Sequence, residues 1–175
     1  DSTITGVWVV DSFFRVDSAS GNAINYHPFS LTSATSGDID SPVTGIENVG
    51  VAFNTNTNGM VINYRDSADT HQHTTGSPIT LSDDTDYWIE LKASNPSALD
   101  EVTLKVFSDE AKLSQVGSTI SATLDDAVSN FVSFNIATTD FESGAGYDAT
   151  YWIDDVVIYS GISSAPTAPT GKLLG

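Results

Sequence analysis

The chain has 175 residues, 23 acids against 6 bases, a formal net charge of −17 and no cysteine. Its length fits one domain with a sizeable core of its own, and the missing cysteines exclude disulfides, thiol catalysis and Cys-based zinc sites. Nucleic acid and anionic membrane surfaces are disfavoured because both need a cationic patch, whereas Asp scattered through turns suits a soluble, saline, calcium-binding or extracellular surface.

Taken in order, Val7 to Val16 (Val-Trp-Val-Val-Asp-Ser-Phe-Phe-Arg-Val) predicts one long or bulged strand, since its paired apolar residues blur a strict alternation. Asp17 to Asn25 reads as a loop and His27 to Thr35 as a strand, with His27 structural beside Pro28. Ser36 to Pro42 is turn-rich. Asp38 and Asp40 there have the chemistry to wrap a cation, although a solvated loop is the commoner use. Val49, Val51 and Phe53 alternate with Gly50 and Ala52 in a clear strand, and Asn54 to Gly59 predicts a hairpin connection, because Asn and Gly tolerate positive φ. Met60, Ile62 and Tyr64 then return on the buried face with Asn63 and Arg65 opposite.

Thr70 to Thr75 is a polar strand. His71 and His73, two apart, put both rings on one side, a spacing that suits zinc, copper or nickel or hydrogen bonds to a glycan, though an exposed polar edge accounts for it more often. Ile79 and Leu81 form a short strand and Asp83 to Asp86 a turn. Tyr87, Ile89 and Leu91 then face inward while Trp88, Glu90 and Lys92 face out. After a turn at Asn95-Pro96-Ser97, Val102, Leu104 and Val106 alternate with Thr103, Lys105 and Phe107. Asp109 to Gln115 is a connection with at most one turn of helix. Val116 to Leu124 and Phe131 to Ala137 are strands, and Thr138 to Tyr147 is a Gly-rich acidic loop.

Thr150 to Tyr159 is the strongest strand signal of all. Strict alternation sets Ile153, Asp155, Val157 and Tyr159 on one face and Trp152, Asp154, Val156 and Ile158 on the other. Each face then holds one acid among apolar neighbours, which demands a bound cation or, more commonly, water access at a sheet edge.

Ten or eleven short strands without a convincing helix predict an all-β, two-sheet antiparallel jelly-roll sandwich over residues 1–161. Residues 162–175 are a Pro/Ser/Thr-rich linker or tail of the kind that joins modules in a longer protein. No stretch reaches transmembrane length, the first residues are not a signal peptide, and Asn95 precedes Pro96, so membrane insertion and Asn-linked glycosylation are not expected.

Three stretches, Tyr87 to Leu91, Val102 to Ser118 and Tyr151 to Tyr159, resemble the concanavalin A-like lectin/glucanase superfamily in its laminin-G-like form. The resemblance implies two stacked antiparallel sheets, one of them curved, whose concave face or rim often binds sugar, in a secreted or cell-surface setting. It also implies that a strand before Val7 is missing here, which would leave the last strand with an unpaired edge and favour homo-oligomerisation. Hydrolases of the superfamily carry a Glu-x-Asp-x-x-Glu carboxylate set; this chain lacks it, so no enzymatic activity is expected. Some of them hold a structural calcium (Ca2+) with an Asp on the last strand. That position falls on Asp154, with Val156 and Ile158 at the family's valine positions.

The outward faces would present Asn63, Arg65, Trp88 and Glu90, a flat indole together with amide, guanidinium and carboxylate groups, which is the chemistry of a glycan site, and His71 and His73 are further candidates to hydrogen-bond a glycan. The expectation is a non-catalytic carbohydrate-binding or adhesion module; the alternative is a structural subunit of an extracellular surface layer, filament or virion.

Overall fold

The computed structural model describes residues 4, 6–20, 25–33, 47–55, 57–65, 71–73, 77–95, 100–124, 131–140, 148–162 and 164. The strands are β1 (Trp8–Ser20), β2 (Asn25–Thr32), β3 (Asn48–Asn54), β4 (Gly59–Arg65), β5 (His71–His73), β6 (Ile79–Thr80), β7 (Thr85–Ala93), β8 (Glu101–Phe107), β9 (Gln115–Thr123), β10 (Ser133–Asp140) and β11 (Asp148–Ser160). They form two antiparallel sheets, one ordered β11-β1-β7-β8-β9 and the other β10-β2-β3-β4-β5, with β6 pairing β4. This is the two-layer, all-β sandwich that the alternation predicts, and no helix occurs among the described residues.

The two inner faces supply the core. Trp8, Val10, Phe14 and Val16 of β1, Tyr87, Ile89 and Leu91 of β7, and Val102, Leu104 and Val106 of β8 meet Phe29, Leu31, Val49, Val51, Phe53, Met60 and Ile62 of the second sheet. Phe14 and Phe53 join the layers with ring centroids 5.7 Å apart, and Trp8 meets Phe131 edge-on at the same distance. Each such side chain adds about 1.5–3 kcal/mol by leaving water.

Several boundaries differ from the sequence reading. β1 continues through Asp17 to Ser20, where a loop was expected, because β11 pairs with it as far as Ser20↔Asp148. β10 likewise runs on to Asp140, paired to Asn25. The connection from Asp109 contains no helix; its carboxylate instead accepts the amides of Leu113 (3.1 Å) and Ser114 (2.7 Å) and closes a tight turn. Those bonds hold the Asp109 carboxyl below its usual pKa. The predicted hairpin is present, with Asn54 paired to Gly59 and Asn58 at φ 46°.

β11 corrects the strict alternation. Against β1, Val157 pairs with Asp11 but Asp154 pairs with Phe13, so β11 carries one extra residue there, and Asp155 takes φ 50°. That bulge switches the faces: Ile153, Val156 and Ile158 pack on the core, while Asp154 and Asp155 are both exposed. Neither acid is buried, since β11 is an edge strand and the bulge turns both carboxylates to water.

Candidate functional site

The outer face of the second sheet brings four of the predicted residues together by register. One cross-strand row reads Asn135, Ser30, Gly50, Asn63, His73, and the next reads Ser133, Thr32, Asn48, Arg65, His71. Residues directly opposite one another in antiparallel strands share a face, so the polar groups from β10 to β4 cross the sheet side by side, while the His71 and His73 side chains lie outside the described residues. Asn63 Nδ2 lies 3.0 Å from His27 Nδ1.

This face does not present Asn63 and Arg65 to solvent as expected: they are 0% and 4% exposed. Ser30, Asn48 and His27 are buried with them, so alternation assigns their face correctly but not their access to water. Ser30 Oγ, both side-chain polar atoms of Asn48, and Asn63 Oδ1 are buried without a hydrogen-bond partner. Gly50 sits in the middle because β2 approaches so closely that a Cβ would stand 2.3 Å from the Phe29 carbonyl oxygen.

Trp88 and Glu90 lie on the outer face of the other sheet, so the four-residue surface expected from sequence is divided between two layers. Glu90 is buried and ion-paired, 2.9 Å from Lys92 Nζ and 3.8 Å from Lys112 Nζ. Lys112, delivered by the Asp109 turn, also meets Asp11 at 2.5 Å. Burial raises the Asp11 pKa against the lowering pull of Lys112. These charges are engaged in structure, and Glu90 is not a free ligand group. Trp88 is half-buried and packs edge-on against Phe13, centroids 5.7 Å apart.

Beside that pair lies an open groove of about 470 Å³, built where β11, β1 and β7 run side by side. Register sets Asp154 opposite Phe13 and Phe13 opposite Trp88, and in the next row Trp152 opposite Arg15 and Arg15 opposite Asp86. The Trp152 side chain lines the groove and the residue is 59% exposed, yet its Nε1 donates to Asp17 Oδ2 at 2.7 Å. Asp17 Oδ1 accepts Arg15 Nε at 2.6 Å, and the two terminal guanidinium nitrogens donate to Asp86 (3.2 Å) and Asp84 (3.1 Å). The Trp152 and Arg15 bonds hold the Asp17 carboxyl below its usual pKa, and Asp17 and then Asp86 raise that of Arg15. Asp154 lines the groove; its Oδ1 accepts the amide of Asp155 at 2.8 Å.

Sequence reasoning named Asp154 and the neighbouring Trp88 but missed Trp152, Arg15, Asp17 and Asp86. A signal was present: alternation alone places Trp152 and Asp154 on one face. The partner lies 135 residues away, in Asp17, and only strand pairing brings the two together.

No protein-family model matches the chain, and no curated protein matches it in sequence. Among solved structures it is similar to basic winged bean lectin with Tn-antigen, at 13% identity and TM-score 0.53, over 90% of this chain and 73% of that one. It is also similar to arcelin-5, a lectin-like defence protein from Phaseolus vulgaris (13% identity, TM-score 0.44, 91% and 74% covered), and to scytalido-glutamic peptidase (16% identity, TM-score 0.44, 94% and 84% covered). The fold is therefore the concanavalin A-like sandwich that the three sequence stretches suggest. The expectation that the chain is not an enzyme is corrected: it rested on one absent glycosidase motif, and the similar structures include peptidases.

Proposed function

We propose that the chain recognises carbohydrate, and that the groove at Arg15 and Trp152 is where it does so. The observation that carries this reading is an exposed indole held in one orientation by a hydrogen-bonded chain that ends on β7. A flat apolar ring bordered by polar groups matches a pyranose, which has an apolar face and a rim of hydroxyls. The fold likeness to a lectin solved with Tn-antigen agrees with it, and an extracellular or cell-surface setting belongs to the same proposal. A glycan array tests it: reproducible hits, lost in a Trp152→Ala variant with an unchanged circular dichroism spectrum, are expected. An array without hits removes the reading, and hits indifferent to Trp152 move the site elsewhere.

Calcium at Asp154 is a subsidiary proposal. Among the described residues no three His, Asp or Glu side chains converge on a metal position, so Asp154 would lend one carboxylate and the remaining oxygens would come from elsewhere. Calcium should raise the melting temperature, EGTA should reverse the rise, and Asp154→Asn should abolish it. Identical melting curves would eliminate the ion.

The alternative of a subunit in an extracellular assembly has its own support. Among the described residues β10 and β11 are edge strands, and Val132, Ile136 and Val157 on or beside them are 41%, 50% and 42% exposed. Unpaired edges with apolar side chains template association. Sedimentation velocity should then show concentration-dependent dimers or polymers, and a monomer at every concentration dismisses this second reading.

A further inference from the structure

The saccharide reading leaves the ligand's charge open, and the groove's hydrogen-bond inventory narrows it. The guanidinium of Arg15 is the cation of the groove, and each of its three nitrogens already donates to a carboxylate. The Trp152 N–H is likewise engaged by Asp17. Three of the five guanidinium N–H groups and the indole N–H are thereby committed, and most of what the polar rim still offers is acceptors: Asp154 Oδ2, the second carboxylate oxygen of Asp86 and that of Asp84, which is bound to the same guanidinium. Among the described residues three carboxylates, Asp17, Asp86 and Asp154, line the groove against one guanidinium, a net of two negative charges, and Asp84 on the same guanidinium adds a further negative charge at its border. Ionised carboxylates only accept hydrogen bonds. A uronate, sialate or sulfated sugar would bring more acceptors and like charge to such a rim. A sugar bearing a protonated amine brings three donors and the opposite charge.

We infer that the groove is selective for amino sugars: a pyranose with a free amine stacks on Trp152 and places its ammonium beside one of the lining carboxylates, Asp154 on one side or Asp86 on the other. This rests on the saccharide reading, and it adds the substrate class. The ring contact supplies position and the carboxylates supply the discrimination, because a charge-assisted hydrogen bond is roughly twice as strong as a neutral one. The preference is electrostatic at a partly exposed site, so it weakens as salt rises.

The test uses two probes that share a skeleton and differ in charge, the hexamer of glucosamine and the hexamer of N-acetylglucosamine, with hexagalacturonate as the anionic probe. Calorimetric titration of the whole chain at pH 6 is repeated at low and high salt. The glucosamine hexamer should bind about tenfold more tightly than the acetylated one, hexagalacturonate should not bind, and high salt should shrink the difference. Trp152→Ala should weaken both hexosamine probes. The double variant Asp86→Asn/Asp154→Asn should weaken the glucosamine hexamer about tenfold more than the acetylated one, so that the two affinities converge. The overall acidity of the chain would attract a cationic oligomer anywhere, so glucosamine binding that is indifferent to Trp152 overturns the inference. Equal affinities, or tighter binding of hexagalacturonate, overturn the charge selectivity while the saccharide reading stands. Failure of all three probes together with an array free of hits removes both.

Discussion

At Gly50 one absent methyl group sets the distance between β2 and β3. A Cβ there meets backbone, the Phe29 carbonyl at 2.3 Å, which cannot rotate away. Gly50→Ala should therefore lower stability by about 1–3 kcal/mol in urea titration. Asn48 beside it has both side-chain polar atoms buried without a partner, a cost of about 1–3 kcal/mol if nothing else meets them. Asn48→Leu should be neutral or stabilising by about 1 kcal/mol, and a clear loss of stability would mean that the amide is in use. Asp17 shows the opposite economy, with both carboxylate oxygens occupied. Its folded pKa is depressed, first by the Trp152 bond and then by Arg15. Its contribution is complete above the unfolded Asp value of about 3.9 and is lost as pH falls through the lower folded value. Indole fluorescence should change only in that acid window, and the change should vanish in Trp152→Phe.

Among the elements, β11 is the most informative, because its signal is the strongest and its face assignment is only half right. Alternation places Trp152 with Asp154, and the structure keeps that pair together. It does not foresee the extra residue at Asp155, since a bulge is a property of two paired strands and only one of them is visible locally. Asp155 at φ 50° occupies a region that Asp and Asn enter at lower cost than β-branched residues. Asp155→Val should cost about 1–2 kcal/mol, whereas Asp155→Gly should not, as read by thermal melting. A costless valine would mean that the bulge relaxes. The β3–β4 hairpin was legible throughout, because Asn58 and Gly59 carry their own backbone preferences; β5 was legible as a polar strand, but its place beside β4 was not.

For the whole molecule, core and charge work in opposite directions. The two layers meet through Phe14 and Phe53, so Phe14→Ala should cost about 3–5 kcal/mol. A net charge of −17 repels itself, and added salt should raise the melting temperature by screening that repulsion. A melting temperature independent of salt would show that the repulsion is already balanced by pairing such as that of Lys112 with Asp11 and Glu90.

By itself the sequence determined the all-β class, most strand positions and, wherever no bulge intervenes, which side of a strand meets the core, because a side-chain period of two is written into local residue order. It also determined that Asn63 and Arg65 point away from that core. Only the tertiary structure decided that their face is buried, that Trp88 and Glu90 belong to another sheet, and that Trp152 is steadied by Asp17. Those facts depend on which strands pair, and pairing is a contest among distant segments that no single stretch of chain encodes.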